Sequence, residues 1–238
     1  MRRKKGHDMI DSPQQKNDLQ LKELFSELLE NKTEDEVREV LLSFRQFQSY
    51  YRCAMLEIET KFQVLNEEFS LRYDRNPINS IHTRLKSVFS IKDKLQRKNL
   101  PVTIESIENN LDDIAGIRIV CAFCEDVYYL EKALLQQDDI ELIRRKDYIQ
   151  NPKENGYRSL HLIVSVPIFL SNEKRMTKVE VQIRTVAMDS WASLEHQLRY
   201  KKDIDSSADE IESELLTCAE LSRELDMRMN HLRERILQ

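Results

Sequence analysis

Four short segments of the sequence concentrate residues that could bind phosphates, a metal ion or a nucleobase. In the first, the fifteen residues from Arg84 onward hold six Arg and Lys side chains against a single carboxylate. On a strand Arg84 and Lys86 share a face, and on a helix Ser90, Lys94 and Arg97 share another. Two such faces could converge on one polyphosphate, with Arg supplying paired contacts and Lys a compact charge. The alternative is an ordinary solvated charged face.

The second segment runs from Asp112 to Arg118 and places two adjacent carboxylates just before an apolar run typical of a strand. Because Mg²⁺ prefers one or two carboxylates together with phosphate oxygens, Asp112 and Asp113 could hold the ion. Arg118 could lie flat against a base. A helix-to-strand turn with a capping Asp explains the same residues equally well.

The third segment, from Lys153 to His161, combines a glycine with two aromatic rings. Gly156 permits a tight turn, after which Tyr157 could stack on a base. His161 lies opposite an apolar row on the following strand. A histidine in that position is also often a plain surface residue or a hydrogen-bonded core residue.

The fourth segment is a strand-like alternation in which apolar residues face one way and polar residues the other. The polar face consists of Lys178, Glu180, Gln182 and Arg184. Polar groups on a central strand need partners or a cleft. Glu180 could bind Mg²⁺ or accept a proton. The helix that follows adds Asp189, Trp191, Glu195 and His196.

The hydrophobic periodicity predicts an α/β core between long terminal helices. A helix is predicted to begin at Thr33, where Thr33 and Glu36 fit a capping box, and to run to about Tyr73. From about Ile78 the period changes to two, as in a half-buried strand. Further strands are predicted at residues 115–123, 139–148, 157–167 and 175–184. Further helices are predicted at residues 18–30, 88–98, 103–110, 125–137, 186–201 and from about 206 onward.

Composition argues against several classes of function. With only three glycines, the chain has no glycine-rich phosphate loop, so side chains must hold any nucleotide phosphate. The net charge of −5 argues against nucleic acid as an obligatory partner. No apolar run approaches the roughly 20 residues of a membrane span, and the basic N terminus lacks the apolar stretch of a signal peptide. We therefore expect a cytoplasmic protein with no membrane partner.

Cys121 and Cys124 form an isolated C-x-x-C inside an apolar run. A structural zinc site needs a second pair or suitably spaced histidines, which the sequence does not supply. We expect two core or strand-end thiols, because a reduced cysteine is commonly buried.

Taken together, these segments resemble the synthetase domain of the RelA/SpoT homologue superfamily over about residues 75–201. The motifs read Arg84-x-Lys86, Asp113-Ile-Ala-Gly-x-Arg118, Gly156-Tyr-Arg-Ser-x-His161, Glu180-x-Gln182-Ile-Arg-Thr and Trp191-Ala-x-x-Glu-His196. Each motif is weak by itself, but their shared order argues against chance. The chain is similar to the small alarmone synthetases. Residues 146–150 and 187–191 are most like the RelP type, and Asp189 stands where the RelQ type usually has Asn.

The resemblance implies a nucleotidyltransferase-like α/β fold, in which helices flank a mixed, mostly antiparallel sheet of about five strands. It implies transfer of pyrophosphate from ATP to the 3′-hydroxyl of GDP or GTP, with Mg²⁺ as cofactor. Asp113 and Glu180 would hold the metal, and Glu180 would also deprotonate the hydroxyl. The implied ATP-binding residues are Arg84, Lys86, Ser90, Lys94, Arg97 and Arg118. The implied GDP- or GTP-binding residues are Lys153, Tyr157, His161, Gln182 and Glu195.

The last predicted helix carries an apolar seam that must bury against something. Its positions are Ile211, Leu215, Cys218, Leu225, Met229, Leu232 and Ile236. The seam could pack on the helix at 34–73 within one chain. The resemblance instead implies a homo-oligomer, a tetramer built through the terminal helices. The predicted organisation is a tail at 1–16, helices at 17–74, a catalytic domain at 75–202 and an oligomerisation helix at 203–238.

Two other functions fit the same motifs. A sister enzyme of similar fold modifies the 3′ end of tRNA as a toxin, which would need a basic RNA-binding surface. A scaffold with a decayed site is the second, although every motif residue is chemically competent. The His7-Asp8 dipeptide also occurs in the hydrolase domain of long relatives, but here it lies in a polar tail, so we expect no product hydrolysis.

Overall fold

The structure is a computed structural model that describes residues 33–73, 75–199 and 208–237. The predicted helix at 18–30 and the predicted tail lie outside the described residues. The chain divides into two compact units. Of the described residues, the first unit contains 33–49 and 86–111, and the second contains 50–73, 75–85, 112–199 and 208–237.

The described elements follow the predicted order closely. The helices are α1 (Glu34–Tyr73), α2 (Val88–Arg97), α3 (Ile104–Asn110), α4 (Cys124–Leu135), α5 (Val186–Arg199) and α6 (Ala208–Leu237). The strands are β1 (Ile78–Leu85), β2 (Ala115–Cys121), β3 (Glu141–Asp147), β4 (Leu160–Phe169) and β5 (Lys174–Thr185). The boundaries differ from the predicted ones by a few residues at most.

The predicted capping box opens α1. The carboxylate of Glu36 accepts a hydrogen bond of 2.7 Å from the backbone N–H of Thr33, and Thr33 Oγ1 accepts one of 3.4 Å from the N–H of Glu36. These bonds satisfy donors that a helix terminus otherwise leaves without partners. In the second unit Lys61 of α1 pairs with Asp139 at 2.6 Å, which fixes the helix against the loop before β3.

In the first unit, α2 and α3 each begin at a hydroxyl residue. Ser87 Oγ accepts from the N–H of Ser90, and Thr103 Oγ1 accepts from the N–H of Ser106. The apolar residues Val88, Ile91 and Leu95 of α2 are buried. Their spacing leaves the basic side chains of α2 on its other face.

The five described strands form one sheet in the order β1-β2-β5-β4-β3. The β2 and β5 strands pair in parallel, and the other three pairs are antiparallel. This confirms the predicted mixed, mostly antiparallel sheet flanked by helices. The predicted alternation of β5 is also confirmed, since Val179, Val181 and Ile183 are fully buried. The polar side chains between them lie on the other face of the sheet.

The long helix α6 buries one face within the second unit, at Leu215, Ala219 and Asp226. Most of the predicted seam lies beside this face and stays exposed, with Leu225 at 52% and Ile236 at 81%. The C-x-x-C residues match their prediction, because Cys121 is buried at the end of β2 and Cys124 is half-buried. Burial raises the pKa of the Cys124 thiol to about 11. No helix in the described ranges is long and apolar enough to cross a membrane.

Candidate active site

The strand register gathers three of the predicted motifs on one face of the sheet. Gln182 on β5 lies opposite Arg118 on β2 and opposite His161 on β4. The three residues therefore form one row across the central strands. In the neighbouring row, Glu180 lies opposite Gly116. Side chains opposite each other on paired strands lie on the same face of the sheet, as does every second side chain along one strand. The polar residues of β2, β4 and β5 therefore lie together on one face.

Glu180 is a half-buried carboxylate held by two donors. Its Oε1 lies 3.2 Å from His161 Nδ1, and its Oε2 accepts a hydrogen bond of 3.0 Å from Gln182 Nε2. Burial raises the pKa of Glu180, but His161 and Gln182 together lower it more, so the pKa lies below its ordinary value. The site thus keeps Glu180 ionised at neutral pH.

The two predicted metal ligands lie close enough to interact. The negative charge of Asp113 opposes ionisation of Glu180 and raises its pKa, against the larger effect of the two hydrogen bonds. No group of three His, Cys, Asp or Glu side chains suited to a metal occurs among residues 33–73, 75–199 and 208–237. Two carboxylates nevertheless fit Mg²⁺, which takes its other ligands from phosphates and water.

The adjacent carboxylates Asp112 and Asp113 have different surroundings. Asp112 binds Lys178 at 2.8 Å and Arg144 at 3.0 Å, so it ties the start of β2 to β5 and β3. The charge of Asp113 acts on Glu180 instead. The two carboxylates are adjacent in the sequence but have different roles in the structure. Asp112 forms structural ion pairs, whereas the charge of Asp113 acts on Glu180.

Arg184 is the centre of a hydrogen-bond network that the sequence did not single out. Its guanidinium donates to Tyr157 Oη at 2.5 Å, to Gln182 Oε1 at 2.7 Å and to Ser159 Oγ at 3.3 Å. Arg184 is 5% exposed, and burial lowers its pKa below the ordinary value. The available signal was its position at the end of the polar face of β5, where a buried guanidinium needs several acceptors.

Tyr157 lies where several of the predicted GDP- or GTP-binding residues meet. Its hydroxyl is 2.8 Å from His161 Nε2, and its ring packs edge-on against Tyr148 at 6.0 Å between centroids. Lys153 Nζ lies 4.7 Å from the Tyr157 ring and 4.8 Å from the Tyr148 ring. Tyr148 was not predicted as a site residue. An aromatic pair beside a cation is a suitable surface for an anionic nucleotide with a flat base.

Asp189, on the first turn of α5, links two arginines of the site. Its Oδ1 lies 3.2 Å from Arg118 and 3.3 Å from Arg184. Arg118 itself remains 38% exposed, so part of its guanidinium faces solvent. The shared carboxylate compensates two like charges that would otherwise repel each other.

The loop before β4 turns at Gly156, which has φ 83°. A side chain there would be strained, and its Cβ would collide with the Cβ of Ala219 on α6. Asn155 closes the turn by accepting from the N–H of Tyr157 at 3.2 Å, and it donates to Glu195 at 3.4 Å. At Gly116, by contrast, a Cβ would meet the carbonyl oxygen of Arg84 at 3.6 Å, which is an ordinary van der Waals contact.

The predicted ATP-binding residues are divided between the two compact units. Arg84 and Arg118 belong to the sheet, where Arg84 lies exposed on β1. The other four belong to the first unit: Lys86, Ser90, Lys94 and Arg97. Within that unit Ser90 Oγ lies 2.8 Å from Ser87 Oγ, and Arg97 is exposed with Nε bonded to the carbonyl of Asp93. Ser90, Lys94 and Arg97 share one side of α2, as predicted from their spacing.

Comparison with known proteins identifies relatives of similar length. A family profile described as "Region found in RelA / SpoT proteins" matches residues 83–205. The chain is 39% identical to the GTP pyrophosphokinase YwaC of Bacillus subtilis over 202 residues, which cover 85% of this chain and 96% of the relative. It is 35% identical to the GTP pyrophosphokinase YjbM of the same organism, covering 77% and 85%.

Solved structures agree with these relatives. Small alarmone synthetase 1 from Bacillus subtilis, bound to its product pppGpp, superposes with a TM-score of 0.74 at 33% identity. The match covers 82% of this chain and 99% of that chain. Small alarmone synthetase 2 from the same organism superposes with a TM-score of 0.73 at 40% identity, covering 81% and 98%.

Proposed function

The chain belongs to the RelA/SpoT family and is a small alarmone synthetase, a GTP pyrophosphokinase that makes (p)ppGpp, and we propose that the shared polar face of β2, β4 and β5 carries out this transfer. The observation that supports this assignment is the row formed by Arg118, Gln182 and His161 across the three strands. One polar face can hold donor and acceptor nucleotides side by side, as transfer between them requires.

In the reaction the 3′-hydroxyl oxygen of GDP or GTP bonds to the β-phosphorus of ATP. The bond from that phosphorus to the α,β-bridging oxygen breaks, AMP leaves with the bonding electrons, and the hydroxyl proton passes to a carboxylate oxygen of Glu180. Little covalent work falls to the protein. Its residues align the two nucleotides and neutralise the charge that develops on the phosphoryl oxygens.

We propose that Asp113 and Glu180 hold Mg²⁺ beside the ATP phosphates. Bound there, the ion would neutralise phosphate charge and polarise the β-phosphoryl group. The lowered pKa of Glu180 suits a ligand that must be ionised at all working pH values. The same lowered pKa makes Glu180 a weaker proton acceptor, since an efficient general base has a pKa near the working pH. Proton acceptance at Glu180 Oε atoms is therefore the secondary role.

The acceptor nucleotide would lie against Tyr157. Its ring offers a flat surface for guanine, and Lys153, 4.7 Å from the ring, offers a charge for the acceptor phosphates. His161 and Gln182 lie between Tyr157 and Glu180, where they could orient the ribose hydroxyl. Glu195, bonded to Asn155, lies on the loop side of this site and could accept hydrogen bonds from the base.

The donor nucleotide, ATP, would lie on the side of Glu180 that faces away from Tyr157 and the acceptor nucleotide. Arg118 keeps part of its guanidinium exposed and could stack on adenine. The ATP phosphates would be bound by the remaining basic and hydroxyl residues of the prediction: Arg84, Lys86, Ser90, Lys94 and Arg97. Arg groups suit this role because the planar guanidinium binds two phosphate oxygens at once.

We further propose a homo-oligomer, a tetramer, that associates through α6. Leu225, Leu232 and Ile236 are 52%, 47% and 81% exposed in the single chain, and they lie along one side of the helix. An apolar row of this length suits a helix–helix interface more than contact with water.

We also propose a cytoplasmic location, because ATP, GDP and GTP are cytoplasmic substrates. Membership of the RelP type remains a prediction.

Thin-layer chromatography of labelled ATP incubated with GDP, GTP or tRNA tests the assignment. We expect label to move to GDP and GTP in the presence of Mg²⁺ and to be lost with a chelator. Restoration of activity by added Mg²⁺ would support the proposed Mg²⁺ requirement. Label on tRNA with none on guanosine nucleotides would contradict the assignment and favour the tRNA-modifying alternative.

A further inference from the structure

Residues 148–159, between β3 and β4, are called the acceptor loop here because they contain Tyr157 of the proposed acceptor site. Arg158 lies in this loop between Tyr157 and Ser159, and its side chain takes a different direction from theirs. Its guanidinium donates to Asp226 of α6 at 2.9 Å. The two side chains are 8% and 6% exposed, so the ion pair is almost completely buried. The partners are 68 positions apart in sequence. A buried charge pair of this kind restrains the loop around Arg158, because breaking it would leave a charge without a partner in the interior.

Asp226 is also attached to the end of β5. It forms a side-chain hydrogen bond with Thr185, and Thr185 Oγ1 accepts from the N–H of Met188 in the first turn of α5. Burial raises the pKa of Asp226, and the bonds from Thr185 and Arg158 offset only part of that effect. The carboxylate thus joins α6, the acceptor loop and the β5–α5 junction.

Two further contacts pack α6 against this loop and against α5. Ala219 occupies the space beside Gly156 that a side chain would need. Trp191 of α5 donates its indole N–H to the carbonyl of Leu215 at 3.0 Å. Tyr157 packs against the small buried cluster that Trp191 and Ala219 form. The back of the acceptor loop is therefore a packed interface with the C-terminal helix.

We propose that Arg158 and Asp226 are positioning residues, which hold Tyr157 and Ser159 in the geometry that binds the acceptor nucleotide. Neither touches the reacting atoms. They act through the loop backbone, because the Tyr157 hydroxyl and the Ser159 hydroxyl both bind Arg184 on the opposite side. The proposal rests on the proposed role of Tyr157 in acceptor binding. It makes α6 part of the acceptor site as well as a helix available for association.

A second ion pair on α6 provides a comparison. Arg233 lies 3.2 Å from Glu125 and 3.6 Å from Asp126, so it attaches the far end of α6 to the start of α4. Its ion pairs in the described ranges are with α4 and not with the acceptor loop. Loss of Arg233 should loosen α6 without moving Tyr157. Loss of Asp226 should loosen α6 and also move Tyr157.

Steady-state kinetics of Asp226→Asn and Arg158→Gln test the proposal. We expect the KM for GDP to rise about tenfold while the KM for ATP changes less than about twofold, because a displacement on the order of 1 Å suffices for such losses. Arg233→Gln is the matched control for helix docking, and Glu224→Gln, which breaks an exposed pair with Arg228, is the control for charge on α6. Both should leave the ratio of the two KM values unchanged.

Melting temperatures separate positioning from general damage. Arg233→Gln should lower the Tm without changing the KM ratio. Should Asp226→Asn fail to fold, the paired variant Arg158→Met with Asp226→Leu removes both buried charges and should fold, since no charge is left without a partner. The same selective rise in the GDP KM is expected from it.

The outcomes distinguish this inference from the role of Tyr157 itself. An unchanged ratio in Asp226→Asn, or in the paired variant, together with a raised GDP KM in Tyr157→Ala, would overturn the inference alone. A normal GDP KM in Tyr157→Ala would overturn the proposed acceptor site and the inference with it.

Discussion

His161 Nδ1 lies 3.2 Å from Glu180 Oε1, and this contact links the imidazole on β4 to the carboxylate on β5. The other ring nitrogen of His161 lies 2.8 Å from Tyr157 Oη, which accepts from Arg184 at 2.5 Å. Since a carboxylate only accepts, a neutral His161 donates to Glu180 and accepts from Tyr157. The hydrogen bonds then run in one direction, from Arg184 through Tyr157 and His161 to Glu180.

Replacing Glu180 by Gln should abolish synthesis and preserve the fold, because the amide has nearly the same shape but binds neither Mg²⁺ nor a proton in the same way. A loss of at least ~10²-fold in kcat is expected for a group of this kind. Glu141→Gln, on the exposed strand β3, is the matched control and should retain activity. A Glu180→Gln enzyme with more than about a tenth of the normal rate would rule out this role.

Replacing Tyr157 by Ala should weaken acceptor binding by about 1–3 kcal/mol, by analogy with base stacking on aromatic side chains. The KM for GDP should rise far more than the KM for ATP. Tyr157→Phe keeps the ring and removes the hydroxyl that binds Arg184 and His161. A small effect on the GDP KM in Tyr157→Phe would assign the loss to stacking, while equal effects of Tyr157→Ala on both substrates would place the ring elsewhere.

Replacing Arg184 by Lys should reduce kcat/KM by about tenfold or more, because Lys cannot bind several acceptors with a rigid planar group. The variant keeps the charge but loses the simultaneous bonds to Tyr157 and Gln182. Arg175→Lys makes the same change on the same strand, where the guanidinium stacks on Tyr50 at 4.5 Å. Comparable losses in both variants would show that any Arg on β5 is needed for folding and would contradict a special role for Arg184.

Replacing Asp112 by Asn should destabilise the protein at neutral pH by about 1 kcal/mol, as expected for a partly exposed ion pair. Burial raises the pKa of Asp112, but Lys178 and Arg144 lower it more, so the folded value lies below the ordinary 3.8. At pH values above 3.8 the ionised carboxylate therefore stabilises the folded state. This stabilisation is lost as the pH falls through the pKa of Asp112 in the folded protein.

Denaturant unfolding of the wild type and of Asp112→Asn at several pH values measures this effect. The difference in unfolding free energy should be constant near neutrality and should shrink below pH 3.8. Asp138→Asn, at an exposed position, is the control and should show no such pH-dependent difference. A difference that grows on acidification would contradict the sign of the shift.

Replacing Leu225 and Leu232 by Glu should dissociate the proposed oligomer, because a carboxylate without a partner in an apolar interface costs several kcal/mol, on the order of 3–5. Light scattering reports the mass directly. Met227→Glu introduces the same charge at an exposed apolar position on another side of α6 and should leave the mass unchanged. A wild-type mass of one 28.3 kDa chain at micromolar concentration would contradict the proposal.

Much of the site was predictable because its signals are local in the sequence. The alternation of β5 separated Glu180 and Gln182 from the buried Val179 and Val181, and the structure confirms this division. The capping box at Thr33 was visible from two residues three positions apart. Periods of two and 3.6 are properties of each element by itself, so they can be identified without knowledge of its neighbours.

Tertiary structure decided which of these residues meet. The row of Arg118, Gln182 and His161 depends on strand register, and register is a relation between distant segments that no single segment encodes. The same is true of Asp226, whose partner Arg158 lies 68 positions away, and which reads in sequence as one more acid on a polar helix. Only packing shows that this carboxylate is buried, because its burial depends on which face of α6 meets the acceptor loop.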